Sequence, residues 1–372
     1  MSSDKVYVTR PSLPAIDELI PMLNEVWESR ILTNGGKFHV ALEAGLCNYL
    51  GVKHISLFNN GTIALLAALK VLNLSGEVIT TPFTFVATTH CLRLLNLSPV
   101  FVDIDPATFN IDPKKIEAAI TENTTAILGV HCYGSPCQDD EIRKIAQKYN
   151  LRVVYDAAHA FGVTKNGRSV FEYGDICATS FHATKVFNTL EGGAVITNSA
   201  ELKSQIDNFK NFGISSETSI DQVGLNGKLN ELNCCVGILQ LKEINRNIKS
   251  REDASQLYRK KLQGIPGIEI PLGPFEVKNN YSYFPVLVKP SSRLSRNELY
   301  EFLNKENIFS RKYFYPLISN IAEYSSLASS NKANLVTANI ISEQVLCLPI
   351  YSDMDEATIT RICYYIKLAL AT

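Results

Sequence analysis

The chain has 372 residues, 46% of them hydrophobic, and carries 36 lysines and arginines against 37 aspartates and glutamates. This length suits two domains better than one, and the apolar share is enough for a large core. A near-zero net charge excludes the broad basic field that would draw nucleic acid or an anionic membrane, so any anionic ligand has to be held by local groups.

The opening MSSDKVYVTRPSLP lacks the charged start and apolar run of a secretory signal, and no later stretch approaches the roughly 18 consecutive apolar residues of a membrane span. Cytoplasmic residence is the expectation. Nine cysteines without a CxxC pair read as reduced thiols packed as small hydrophobes. Cys132 and Cys137 are followed by no second pair at ligand spacing, so no metal site is expected.

In chain order, IDELIPMLNEVWESR and FHVALEAGLCNYLG repeat at helical spacing and TNGG at 33–36 separates them. Strands and helices then alternate. HISLFNN, GEVITTP, SPVFVDID, TTAILGVHCYG, LRVVYDAAHA, ICATSFHA and GGAVITNS read as strands, with helices over GTIALLAALKVLN, FVATTHCLRLLN, DPKKIEAAI and QDDEIRKIAQKYN. Such alternation predicts an α/β domain with a mainly parallel sheet covered on both faces. After residue 213 a polar stretch leads into a long helical run over LNCCVGILQLKEINRNIKSREDASQLYRKKLQ, and the remainder reads as a smaller α+β unit. The expected division is 1–250 and 251–372, with the long helix bridging it.

The segment TSFHATKVFNTLEGGAVITNS sets Lys185 in a turn between two predicted strands. A lysine on a loop is ordinarily a solvated charge, but one held in a cleft has a lowered amine pKa and can form a Schiff base with a carbonyl. Asp156 directly follows an apolar strand, at the carboxyl edge where ligands collect in open α/β sheets. It could hold a pyridinium nitrogen, or it could cap a helix starting at AAHA. In FNNGTIALLAAL, Gly61 and Thr62 stand where a strand gives way to a helix, a junction whose free amides suit a phosphate, and Ser180 could add a hydroxyl. The junction lacks the ending of a Walker loop, and no G-x-G-x-x-G marks a dinucleotide fold. Phe85 in TPFTFVATT could stack on a heterocycle or pack in the core.

NNGTIALLAAL, TPFTFVATTH, VFVDID, VVYDAAHAFG, SFHATKVFNTLEGGAVITN and GLNGKLNEL, in that order, resemble the DegT/StrS-type nucleotide-sugar aminotransferases from about residue 6 onward. The resemblance implies the aspartate-aminotransferase fold (fold type I), pyridoxal 5'-phosphate as cofactor, L-glutamate as amino donor and a homodimer with shared active sites. It makes Lys185 the Schiff-base lysine and proton shuttle, Asp156 the partner of the ring nitrogen and His159 the neighbour of the ring oxygen. Gly61, Thr62 and Ser180 match phosphate-binding positions, Phe85 the stacking aromatic, and Asn226 an asparagine that reaches the phosphate from the neighbouring subunit. Tyr315 in FYPL falls where relatives set a Tyr-Pro near the sugar nucleotide.

Lys228 replaces the usual arginine of the family, keeping charge but not a bidentate fork. Retention of Lys185 sets the chain apart from the dehydratase branch, which has histidine there. The lysine motif and the opening PSLP…WESRILTNGGKFH look most like the VioA-type enzymes, which aminate C4 of dTDP-4-keto-6-deoxyglucose for surface polysaccharide, O-antigen and lipopolysaccharide assembly. A C3-aminating relative, another lysine-bound cofactor reaction and a non-catalytic sensor on the same fold are the alternatives.

Overall fold

The computed structural model describes residues 4–273 and 276–371. Two helices lead, α1 (Ile16–Ser29) and α2 (Lys37–Leu50). Then follow β1 (His54–Phe58), α3 (Gly61–Lys70), β2 (Glu77–Thr80), α4 (Val86–Leu94), β3 (Ser98–Phe101), β4 (Thr124–Val130), α5 (Asp139–Tyr149), β5 (Arg152–Asp156), β6 (Ile176–Ser180), β7 (Gly193–Thr197) and α6 (Ala200–Phe209). The strands form one seven-stranded sheet in the order β1-β7-β6-β5-β4-β2-β3. β7 is antiparallel to both neighbours and the others run one way, which is the mainly parallel sheet that the alternation predicts.

The strands read as unbroken apolar runs because both faces are covered. Ile127, Val153, Tyr155, Cys177, Ala194 and Ile196 point into a core shared with Leu42 and Leu46 of α2 and Ile142 of α5. Their neighbours Ala126, Leu128, Val154, Ile176, Ala178 and Val195 point the other way, onto Ala64 and Leu65 of α3, Leu92 of α4 and Phe209 of α6. A register slip of one residue would exchange the two sets, and with roughly 1.5–3 kcal/mol for each large side chain buried the register is strongly fixed.

The long helix α7 (Glu231–Leu262) runs 32 residues, about 48 Å at 1.5 Å per residue. Its first half packs on α2, where the buried Glu231 carboxylate accepts from the amides of Phe38 and His39 at 2.8 and 3.0 Å, satisfying orphan donors at the start of α2. Its second half, with Ala254, Tyr258 and Leu262, enters another core built by β8 (Phe284–Val288), α8 (Arg296–Lys305), β9 (Val345–Leu348) and α10 (Glu356–Leu370), with α9 (Val336–Gln344) beside it. Val6 lies in that second core too, and Val6–Tyr7 pairs with Ile308–Phe309. The division at residue 250 is retained as a proposal, with the core change inside α7 as its support.

One expected helix and one alternative helix differ. DPKKIEAAI gives a single α turn, Pro113–Ile116, continued as a 3-10 turn over Glu117–Ala119. No helix starts at AAHA, because the amide of Ala157 donates to the carbonyl of Ala178 at 2.7 Å and its carbonyl accepts from the Thr179 hydroxyl at 3.1 Å. The Ala157 carbonyl also accepts from the Ala160 amide at 2.9 Å, so the chain makes a turn there and does not go on into a helix. The polar stretch after residue 213 also folds a small hairpin, Ile214–Ser216 against Ser219–Ile220.

Candidate active site

At the carboxyl edge of the sheet the segments after β1, β2, β5 and β6 surround a cavity of about 370 Å³. Gly61, Thr62, Phe85, Asp156, His159, Ser180 and Lys185 all line it. Seven of the residues singled out in the sequence thus meet, from four separate crossovers.

Lys185 sits on the connection between β6 and β7. The amide of Phe181 donates to Gly192 at 2.8 Å and that of Thr189 to Phe181 at 3.0 Å, closing the base of the loop. The Lys185 amide donates to the His182 carbonyl at 2.8 Å, and Phe187 stacks on Phe161 with centroids 4.4 Å apart. The backbone is therefore pinned on both sides of the lysine. The side chain is half-buried, meeting solvent inside the cavity, and desolvation brings its amine from 10.5 to about 8, opposed by the charge of Asp156.

Asp156 ends β5. Its Oδ2 accepts from the Thr88 hydroxyl at 2.8 Å and its Oδ1 from the amide of Ala158 at 3.1 Å. The side chain does close a local turn, but no helix follows for it to cap. Burial raises its pKa, outweighing the Thr88 bond, the Ala158 amide and the charge of Lys185. Thr88 in turn lies 2.9 Å from the Thr84 hydroxyl, so a proton run Thr84 to Thr88 to Asp156 fixes the carboxylate. His159 is buried, and burial followed by the Lys185 charge drives its pKa well down. Its Nδ1 accepts from the amide of Tyr133 at 3.3 Å, which assigns the ring proton to Nε2.

The opposite end of the cavity is a close meeting of backbones. Asn60 caps α3, accepting from the Ile63 amide at 2.9 Å. A Cβ on Gly61 would come within 2.6 Å of the Ser180 Cβ, and one on Gly193 within 2.7 Å of Asn60. Only glycine lets the first turn of α3 lie against the tips of β6 and β7, which leaves its free amides beside two hydroxyls. Phe85 is 57% exposed at the start of α4, while Phe83 is fully buried. The core-packing role belongs to Phe83, and Phe85 presents its ring to the cavity.

Three expected residues stand outside this cavity. Asn226 is exposed and bridges to Asn211, and Lys228 donates to Asn211 Oδ1 at 2.9 Å while lying over the Phe212 ring. Tyr315 borders an adjoining hollow with Phe85 and Phe314, its ring over the Arg296 guanidinium at 4.7 Å. Conversely, Tyr283, Tyr313 and Phe314 of the second unit line the main cavity, and Phe314 lies parallel to the His159 ring at 5.8 Å. Sequence reasoning passed over these and the two threonines. The spacing of Thr84 and Thr88, four apart at a helix start, is the one signal that could have found any of them.

The residues present fit pyridoxal phosphate. A half-buried carboxylate of raised pKa suits a protonated ring nitrogen, a neutral imidazole N–H suits a ring oxygen, a helix start with two hydroxyls suits the phosphate, and a desolvated amine suits the carbonyl.

Comparison with known proteins agrees. The profile of the DegT/DnrJ/EryC1/StrS aminotransferase family matches residues 15–367. A curated relative from Escherichia coli, dTDP-4-amino-4,6-dideoxy-D-glucose transaminase, is 49% identical over 97% of this chain and 98% of its own. The crystal structure of DesI in the presence of its TDP-sugar product superposes with a TM-score of 0.94 at 33% identity, covering 99% of this chain and 93% of that one. Helicobacter pylori PseC, an aminotransferase involved in the biosynthesis of pseudoaminic acid, superposes with a TM-score of 0.91 at 29% identity over 99% of each chain.

Proposed function

The chain belongs to the DegT/DnrJ/EryC1/StrS aminotransferase family, whose members depend on pyridoxal phosphate, and we propose that it transfers an amino group from L-glutamate to C4 of dTDP-4-keto-6-deoxyglucose. The product is dTDP-4-amino-4,6-dideoxyglucose, destined for a surface polysaccharide such as an O-antigen. Lys185 carries the reading: it is a desolvated amine of pKa about 8 in one cavity with Asp156 and His159. The 49% identity to a transaminase named for that sugar supports the substrate.

Gly61, Thr62 and Ser180, with the amides opening α3, would hold the cofactor phosphate. Phe85 would cover one ring face, Asp156 would face the ring nitrogen, His159 the ring oxygen, and Lys185 would make the covalent link. When bound, the cofactor supplies an electron sink and a temporary seat for the amino group. Asp156 would keep the ring nitrogen protonated, since a half-buried carboxylate whose pKa is raised gains strongly from such a cation. Lys185 Nζ would take the proton from Cα of glutamate. In the second half it delivers one at C4 of the sugar. An amine titrating near 8 works in both directions at physiological pH.

Asn226 and Lys228 stand clear of their own cavity, and we assign Asn226 to the phosphate in the partner of a homodimer and Lys228 to the substrate there. Exposed Phe212, Ile220 and Val223 near them support a covered face there. Tyr315 is placed at the rim near the sugar nucleotide. Cytoplasmic residence suits nine free cysteines, and among the described residues no helix is long and apolar enough to cross a membrane.

Incubation of the protein with pyridoxal phosphate, L-glutamate and the 4-keto-sugar should yield 2-oxoglutarate and the amino-sugar in equal amounts, followed by mass spectrometry and NMR. Amination of only a 3-keto isomer would move the reading to C3. No amination of any nucleotide-linked keto-sugar would refute it.

A further inference from the structure

The ladder between β6 and β7 does not stop at Ser180 and Gly193. The Phe181 amide donates to Gly192 at 2.8 Å, continuing the pairing, and the next residues outward are His182 and Glu191. Side chains alternate along a strand, so Phe181 turns into the core while His182 returns to the cavity face used by Ser180, about 6–7 Å further along. The His182 carbonyl accepts from the Lys185 amide, and both residues line the same cavity.

The imidazole is set by its neighbours, and the carboxylate stands next to it. His182 Nδ1 lies 2.8 Å from the Thr184 hydroxyl and accepts from the Thr184 amide at 3.3 Å, so Nε2 carries the proton. Nε2 is 3.5 Å from Glu191 Oε1, an ion-pair distance beyond the ordinary hydrogen-bond range. Both groups line the cavity and retain spare capacity: one N–H donor and a carboxylate with free lone pairs. The backbone beneath is fixed separately, since the Glu191 carbonyl accepts from Thr189 Oγ1 at 2.8 Å and Asn233 Nδ2 at 2.6 Å.

The two substrates proposed above differ in what such a pair can offer them. A dicarboxylate amino donor meets a like charge in Glu191. A hexose ring carries neighbouring hydroxyls that each donate and accept, complementary to a carboxylate acceptor next to an imidazole donor. We infer that His182 and Glu191 form the hydroxyl-reading subsite for the hexose ring, selecting the sugar substrate beside Lys185. This rests on the reading that a nucleotide-linked keto-sugar enters the cavity.

The test is calorimetric, on the cofactor-loaded protein, with unreactive dTDP-glucose and with dTDP alone. His182→Ala and Glu191→Ala, both at half-exposed or exposed side chains, should each weaken dTDP-glucose by about tenfold or more, the loss of a charged hydrogen bond, and leave dTDP within about twofold. The double variant should lose less than the product of the two, because the groups share one ligand. Wild-type affinity for dTDP-glucose in both variants would overturn the inference. Equal loss of dTDP and dTDP-glucose would place the pair at the nucleotide and overturn it as well. If the wild-type protein bound neither ligand, the proposed function would fall first and the inference with it.

Discussion

Replacing Thr88 with valine keeps the side-chain volume and removes one proton from the site. That proton lies on the hydroxyl 2.8 Å from Asp156 Oδ2, and the same hydroxyl is the acceptor for Thr84 at 2.9 Å. A hydrogen bond to an ionised group contributes about 1.5–3 kcal/mol. Its loss lowers the stability of the Asp156 carboxylate against its protonated form by that much, in a site where burial already raises the pKa. A protonated Asp156 cannot pair with a pyridinium nitrogen. At about 1.4 kcal/mol per factor of ten, cofactor affinity should fall roughly tenfold to a hundredfold in Thr88→Val. Thr88→Ser, which keeps the donor, should stay near wild type. Titration of cofactor-free protein with pyridoxal phosphate, followed by absorbance, measures both. A Thr88→Val protein with wild-type affinity and turnover would refute the argument and leave the Ala158 amide and the Lys185 charge to support Asp156.

Lys185→Ala should abolish transamination while leaving the melting temperature within a few degrees, since the loop is held by Val186, Phe187 and its own backbone bonds; retained turnover would remove the lysine from its role. Because only the neutral amine attacks a carbonyl, cofactor capture by Lys185 should accelerate about tenfold per pH unit up to about 8 and level off above it. Stopped-flow absorbance across pH reads this, and a plateau reached only near 10.5, the ordinary lysine value, would contradict it. The same shift has a stability sign: the unfolded chain holds this proton to higher pH than the folded one, so the burial penalty applies below about 8 and fades as pH rises toward 10.5. Urea titrations of cofactor-free wild type and Lys185→Met should therefore diverge most at the lower pH. Gly61→Ala should cost at least about tenfold in cofactor affinity, because its Cβ would stand 2.6 Å from that of Ser180, and Ser180→Gly in the same chain should restore part of it; equal affinity in all three proteins would show that the cradle can yield.

The sheet was legible because its strands are buried on both faces and its helices carry the longer period, so the two rhythms separate in the residues themselves. Lys185 was legible as a cation between strands, and Gly61 as a glycine at a strand-to-helix junction. Phe85 could not be separated from Phe83 by type, since what distinguishes them is which way the chain turns after β2. The cap reading of Asp156 assumed that AAHA was free to coil, and the sheet bonds of Ala157 are long-range contacts that no local pattern reports. Tyr283, Tyr313 and Phe314 enter the cavity from about a hundred residues or more beyond Lys185, and aromatic residues in an α+β segment carry no mark of what they will face.

The contact of Gly61 with Ser180 has a consequence for the life of the chain before it is an enzyme. The two residues belong to distant crossovers, and β7, which comes after both in sequence, must insert between β1 and β6 before the glycine can lie against the serine. A polypeptide that still lacks β7 lacks Gly193, against which the Asn60 and Gly61 backbone packs, so it offers the vitamin-derived ligand an unfinished seat. Capture of that ligand then acts as a certificate of finished topology, and its binding energy rewards only molecules whose strands have been threaded in the correct order.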